Sequence, residues 1–239
     1  MEAKWGVVIV AAGRGTRMGT QESKQYLRLA DKPILVHTLE LFGSLGFVNE
    51  IALVVGEDDI ERCRRWVDDY RLDKVTSVLR GGSERQHSVA VGLQALRSDW
   101  IMVHDGVRPL VTETAVASCC RVALEKGAAV LAVPVKDTIK QVDAAGTIVS
   151  TPDRRSLWAI QTPQAFRRVI LLEAHERAAA EGFLGTDDAM VVERMGVPVA
   201  VAEGDYTNIK ITTPEDLPYA EFLLAQRQGS RASNGRGEQ

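Results

Sequence analysis

The sequence has too few cysteines, too badly spaced, for a disulfide framework or a metal knot. Cys63, Cys119 and Cys120 are an odd number, two are adjacent, and no CxxC or Cys/His cluster occurs. That excludes a stapled secreted domain and a structural zinc site, and leaves three small buried residues in a reducing compartment. A long apolar run is also missing: no stretch approaches the ~18 consecutive apolar residues of a membrane span. The opening MEAKWGVVIVAAGRG reaches glycine and arginine after a few apolar residues, too soon for a secretion signal. A cytoplasmic protein without membrane contact is the expectation. Positive charge is not in surplus either, with 29 Lys and Arg against 32 Asp and Glu, net −3. A duplex nucleic-acid binder usually carries the reverse, so phosphate binding here would rest on a few placed cations and nucleic acid is not an expected partner.

The 239 residues are 45% hydrophobic and 26% charged, ordinary values for one sizeable domain with a real core. Short β-branched runs alternate with amphipathic segments. Strands are predicted at 7–10, 51–55, 75–79, 100–103 and 129–133, with helices at 58–70, 84–97 and 113–126. Pro33 opens another helix, on which Leu35, Leu39 and Phe42 share one face. Repeated β-α units of this length predict an α/β fold with a doubly wound, largely parallel sheet. Such sheets bind ligands at the carboxyl ends of their strands, so every strand-end loop is a candidate site.

From 135 to 158 the pattern changes. Residues 136–142 and 147–150 flank Asp143-Ala-Ala-Gly146, a hairpin signal. It predicts a projecting arm for dimer contacts, or an antiparallel addition to the sheet edge. Residues 153–164 are polar and turn-like. Helices then follow at 168–181, from 187 and from Pro214, with a strand at 199–202 and a short strand within 208–212. The predicted organisation is one domain over 1–227 with the arm at 135–158. The polar, glycine-rich stretch 228–239 is predicted to be disordered.

The first strand ends in Ala11-Ala12-Gly13-Arg14-Gly15-Thr16-Arg17-Met18-Gly19, followed by Lys24. Glycines here let backbone N–H groups approach phosphate oxygens. Two familiar motifs fail: no Lys-Ser or Lys-Thr follows Gly19 as a P-loop requires, and Met18 stands where a dinucleotide fingerprint needs its third glycine. What remains is a glycine loop carrying Arg14, Arg17 and Lys24. Three cations suit a triphosphate, and a glycine turn with solvated charges is the plain alternative.

Other strand ends carry polar groups. Gly81-Gly82-Ser83-Glu84-Arg85, with Ser88, offers backbone groups to a ligand or a helix cap. Asp105 in His104-Asp105-Gly106-Val107-Arg108 could hold Mg2+, or serve as a cap or a partner of Arg108. His104 should point away from Asp105 and is read as structural. Thr186-Asp187-Asp188 resembles a helix start with Thr186 as a cap.

Taken in order, AAGRGTRM…KQ, GGSERQHSV, HDGVRP, DT, DRRSLWAIQTPQAF, TDDA and NIKITTPEDL closely resemble methylerythritol phosphate cytidylyltransferases over residues 5–224. The strings DR…LW…QTPQ and NIKIT.PEDL are the most specific. The resemblance implies a Rossmann-like nucleotidyltransferase fold and transfer of CMP from CTP to 2-C-methyl-D-erythritol 4-phosphate, releasing pyrophosphate, with Mg2+. It implies that Ala11, Ala12, Gly13, Arg14, Gly15, Gly82 and Ser88 hold CTP and that Asp105 serves nucleotide and metal. Arg17 and Lys24 would stabilise charge on the α-phosphate. Arg108, Thr138, Arg154, Thr162, Thr186 and Lys210 would position the sugar phosphate, with Thr138 and Arg154 reaching across a homodimer from the arm. Arg154 and Lys210 are counted with Arg17 and Lys24 as catalytic. Ser23 stands where the family often has Pro, and Ser83 where some members have Asp. A ribitol 5-phosphate cytidylyltransferase and a non-catalytic CTP-binding sensor are the alternative readings.

Overall fold

The structure, a computed structural model, describes residues 3–13 and 23–234. Its strands in chain order are β1 (Trp5–Ala11), β2 (Arg28–Leu29), β3 (Lys32–Pro33), β4 (Val48–Val55), β5 (Val75–Arg80), β6 (Trp100–Asp105), β7 (Ala128–Pro134), β8 (Gln141–Val142), β9 (Ile148–Ser150), β10 (Trp158–Arg167) and β11 (Ala200–Glu203). The helices are α1 (Ile34–Ser44), α2 (Ile60–Asp69), α3 (Arg85–Ala95), α4 (Glu113–Lys126), α5 (Arg168–Ala180), α6 (Asp188–Glu193) and α7 (Asp216–Asn234). Seven strands form one sheet in the order β11-β7-β10-β6-β1-β4-β5. Strands β1, β4, β5 and β6 run parallel, as do β7 and β11, while β10 runs antiparallel to both its neighbours. This is the expected doubly wound, largely parallel α/β sheet.

The two-residue period of β1 explains why both faces are covered. Trp5, Val7, Ile9 and Ala11 face Leu35, Leu39 and Phe42 of α1 together with α2 and α4. Val8, pointing the other way, packs with Val89 and Leu93 of α3 and with α5 and α6. The spacing of Leu35, Leu39 and Phe42 puts all three on the buried face, each worth roughly 1.5–3 kcal/mol of burial. Helix α4 is bounded as expected: Thr112 Oγ1 accepts from the Ala115 N–H, and Gly127 ends the helix at φ 93°. All three cysteines are free and buried. Burial pushes the Cys63 and Cys119 thiols up to about 12, so neither is a reactive thiolate. Among the described residues no helix is long and apolar enough to cross a membrane.

Three expectations are corrected. The stretch read as turn-like contains most of β10, a ten-residue strand between β6 and β7. Its register on β7 breaks between Ile160 and Gln164, and the Thr162–Pro163 peptide is cis. Gln161, Thr162 and Gln164 are buried there because loops from elsewhere satisfy their polar atoms, and that compensation is invisible in local sequence. Residues 208–212 are not a strand. Helix α7 continues through Asn234, so 228–234, expected to be disordered, are helical. The hairpin forms its own two-stranded sheet from β8 and β9, separate from the main one.

Candidate active site

Because β1, β5 and β6 are parallel, the segments leaving their carboxyl ends meet on one edge of the sheet. They enclose a cleft of about 190 Å³. Ala11, Ala12, Gly13, Gly82, Ser83 and Ser88 give it small side chains and exposed backbone. Lys24, Glu84, Arg85, Asp105 and Lys210 are its charged lining among the described residues. Among the small residues the chains touch: a Cβ on Gly81 would lie 2.3 Å from Ala12 Cβ, so only glycine permits this approach. The Gly82 N–H donates to Ser88 Oγ (3.1 Å), which donates to the Glu84 carbonyl (3.2 Å). Ser88 therefore ties the loop to α3 rather than capping the helix, whose N-cap, Glu84, makes no side-chain cap bond.

Lys24 is buried in a 3-10 turn, Lys24–Tyr26. Gln25 Nε2 fastens that turn to the first loop, donating to the Ala11 carbonyl (2.7 Å) and the Gly13 carbonyl (3.0 Å). Asp105 is the hub of the charged groups. Lys210 Nζ lies 2.8 Å from its Oδ2, Arg85 Nε 3.2 Å from its Oδ1, and Arg108 Nε 3.8 Å from its Oδ2. Burial alone would raise the Asp105 pKa, but Arg85, then Lys210 and Arg108, hold it well below the usual carboxylate range. Asp105 is an anion ringed by cations.

His104 points to the other face, buried against Phe42. Burial pushes its imidazole down from 6.5 to about 3, against the opposing pull of Asp105. Its hydrogen bonds suit the neutral ring: Nε2 lies 3.2 Å from the Arg108 carbonyl, which can only accept, so Nδ1 is the acceptor for Thr162 Oγ1 at 3.0 Å. Thr162 Oγ1 in turn accepts from the Asp105 N–H (3.1 Å). His104 thus supports the strand end and is no catalytic base. A pH dependence follows. Between pH 6.5 and about 3 an unfolded His104 takes up a proton that the folded one refuses. Stability should therefore fall with falling pH by about 1.4 kcal/mol per unit across that window. Urea titrations of wild type and His104→Gln at pH 7.5 and 5.0 check this: the wild type should lose more stability between the two pH values, and equal losses would refute it.

The loop after β11 closes the site. Asn208 Nδ2 donates to Gln161 Oε1 (3.1 Å) and to the Thr162 carbonyl (2.9 Å), while its own carbonyl accepts from Arg108 Nη1 (2.8 Å). Two residues on, Lys210 reaches Asp105. One segment therefore sets Thr162, Arg108 and Lys210 together.

Of the residues singled out in the sequence, Ala11, Ala12, Gly13, Lys24, Gly82, Ser88, Asp105 and Lys210 line the cleft. Arg108 and Thr162 contact Asp105 from beside it. Arg14, Gly15 and Arg17 lie outside the described residues. Thr138 and Arg154 are exposed on the arm and do not line the cleft of their own chain, Arg154 donating to the Lys136 carbonyl (2.9 Å). Thr186 is exposed and does not cap α6; Asp187 does, accepting from the Met190 N–H. Among the described residues no group of three His, Cys, Asp or Glu is arranged to hold a metal. Gln25, Arg85 and Asn208 were missed as site residues, although each sits inside a quoted motif. Only the fold reveals their partners.

The family model for 2-C-methyl-D-erythritol 4-phosphate cytidylyltransferase matches residues 6–226. The 2-C-methyl-D-erythritol 4-phosphate cytidylyltransferase of Geobacillus thermodenitrificans is 49% identical over 221 residues, covering 92% of this chain and 96% of the relative. That of Caldanaerobacter subterraneus subsp. tengcongensis is 47% identical over 220 residues, covering 91% and 97%. The crystal structure of 4-diphosphocytidyl-2C-methyl-D-erythritol synthase from Anaerococcus prevotii superposes with a TM-score of 0.82 at 31% identity, over 94% of this chain and 97% of that one. With the motifs, the sheet and the cleft in agreement, the chain belongs to the 2-C-methyl-D-erythritol 4-phosphate cytidylyltransferase family.

Proposed function

We propose that this chain transfers CMP from CTP to 2-C-methyl-D-erythritol 4-phosphate, giving 4-diphosphocytidyl-2-C-methyl-D-erythritol and pyrophosphate, a step in non-mevalonate isoprenoid precursor synthesis. The observation that carries the reading is a strand-end cleft that joins small, glycine-rich loops to Lys24, Arg85 and Lys210, in a chain that matches the family over residues 6–226. The small residues leave room for a base and sugar, and the cations suit the phosphates. An acceptor phosphate oxygen attacks the α-phosphorus, the new P–O bond forms, and the bond to the β-phosphate breaks to release pyrophosphate. The nucleophile is already ionised because its second pKa is ~6, so no general base is needed. Catalysis then reduces to alignment and to stabilising negative charge, the task assigned to Lys24 and Lys210 in the cleft and to Arg17.

Mg2+ on nucleotides is usually held by one or two carboxylates plus phosphate oxygens, and Asp105, held ionised in the cleft, fits that donor set. When bound, the ion would neutralise triphosphate charge. We assign the chain to the cytoplasm and read the arm as a homodimer contact. Val142 and Ile148, opposite one another across β8 and β9, are 54% and 58% exposed, and such a pair on the hairpin suits a partner surface. The experiment is pyrophosphate release from CTP and Mg2+ with methylerythritol phosphate and ribitol 5-phosphate side by side. Release with the first alone supports the reading. Release only with the second transfers the chemistry to another acceptor, and CTP binding without release with either would leave a sensor.

A further inference from the structure

Asp188 begins α6, is 1% exposed and does not line the cleft. Even so, it is linked to the cleft through Arg85. Arg85 Nη1 meets Asp188 Oδ2 at 2.8 Å, while Arg85 Nε meets Asp105 Oδ1 at 3.2 Å. The guanidinium is rigid and planar, so anchoring one edge on Asp188 sets the direction of the edge that faces Asp105. Asp188 is itself immobilised: His175 Nε2 lies 3.2 Å from its Oδ1, and its backbone N–H donates to Gln164 Oε1 at 3.1 Å. A buried ion pair contributes little net stability compared with an apolar pair of the same shape, so stability alone does not account for this arrangement.

We propose that Asp188 is a positioning residue for the CMP transfer assigned above: it anchors Arg85 from the interior, and Arg85 orients the Asp105 carboxylate in the cleft. His175 supports the anchor by engaging the second oxygen of Asp188. Without the anchor, Arg85 is released to pair with Asp105 through two N–H groups or to swing towards the nucleotide. Either movement redistributes charge where the triphosphate binds. The inference rests on the proposed function, and its consequences are specific to CTP.

The test is steady-state kinetics of Asp188→Asn, Arg85→Gln and the double variant, with folding followed by circular dichroism. Asp188→Asn should raise KM for CTP by about 3-fold or more, within the usual range of coupling between contacting residues. A smaller folded fraction lowers the apparent kcat but leaves KM unchanged, so a purely structural role does not produce that result. In the Arg85→Gln background the Asp188→Asn change should add nothing further. His175→Gln should give a weaker version of the same pattern, and it carries the test if Asp188→Asn does not fold. An unchanged KM for CTP in both single variants overturns the proposal, as does a change of equal size with and without Arg85. If the wild type transfers no CMP, the proposed function fails instead. Calorimetric CTP affinity in the same variants then decides the positioning role alone.

Discussion

Lys24→Ala is expected to reduce kcat for CMP transfer by on the order of 10²–10³-fold, the usual effect of removing one donor aimed at developing negative charge. The location of Lys24 makes this a sharp test. The residue sits in a turn that Gln25 fastens to the carbonyls of Ala11 and Gly13, so its position is set by backbone contacts that the substitution leaves in place. The fold should therefore survive, with a circular dichroism spectrum matching wild type. Quench-flow measurement of the chemical step separates a transition-state effect from slow product release. Near-normal turnover would remove Lys24 from the mechanism and weaken the assignment of the cleft's cations to the reacting phosphates.

The second large effect concerns the arm. Arg154 is exposed there and does not line its own cleft, yet the family resemblance gives it a substrate role. If it serves the partner's cleft in a homodimer, Arg154→Ala and Lys24→Ala should each be nearly inactive alone and recover activity when co-expressed. In a heterodimer of the two, one site carries both defects and the other carries neither. Random assembly makes half of the dimers mixed, so about one quarter of all sites should regain wild-type activity. Arg154 acting within its own chain would give no recovery at all. Ile148→Asp places a charge on the apolar face of the arm. Sedimentation should then show a monomer, and the co-expression rescue should be lost when both variants carry it.

Much of the fold was legible because local chemistry and tertiary structure agree along most of the chain. The β-branched runs became β1, β4, β5, β6 and β7, and the spacing of Leu35, Leu39 and Phe42 located the buried face of α1. β10 was hidden because Gln161, Thr162, Pro163 and Gln164 interrupt the apolar pattern, and their partners lie 23 to 58 positions away in the chain. The helical end of α7 was hidden for a simpler reason: its glycine and serines have weak helix propensity and read as tail.

The sequence by itself determined the class of fold, the family, and the chemical types present at each strand end, because glycine, lysine and carboxylate carry their chemistry wherever they are placed. Tertiary structure decided which of these groups share a site. Parallel pairing of β1, β5 and β6 is a non-local choice, and it brings Ala12 against Gly81 and delivers Asp105 beside them. Tertiary structure also made Arg85 the link between Asp105, 20 positions after it, and Asp188, 103 positions after it. Coulomb and hydrogen-bond energies fall off over a few ångströms of space, whatever the separation in sequence, so the charge state of Asp105 and the placement of Lys210 exist only once the chain has folded.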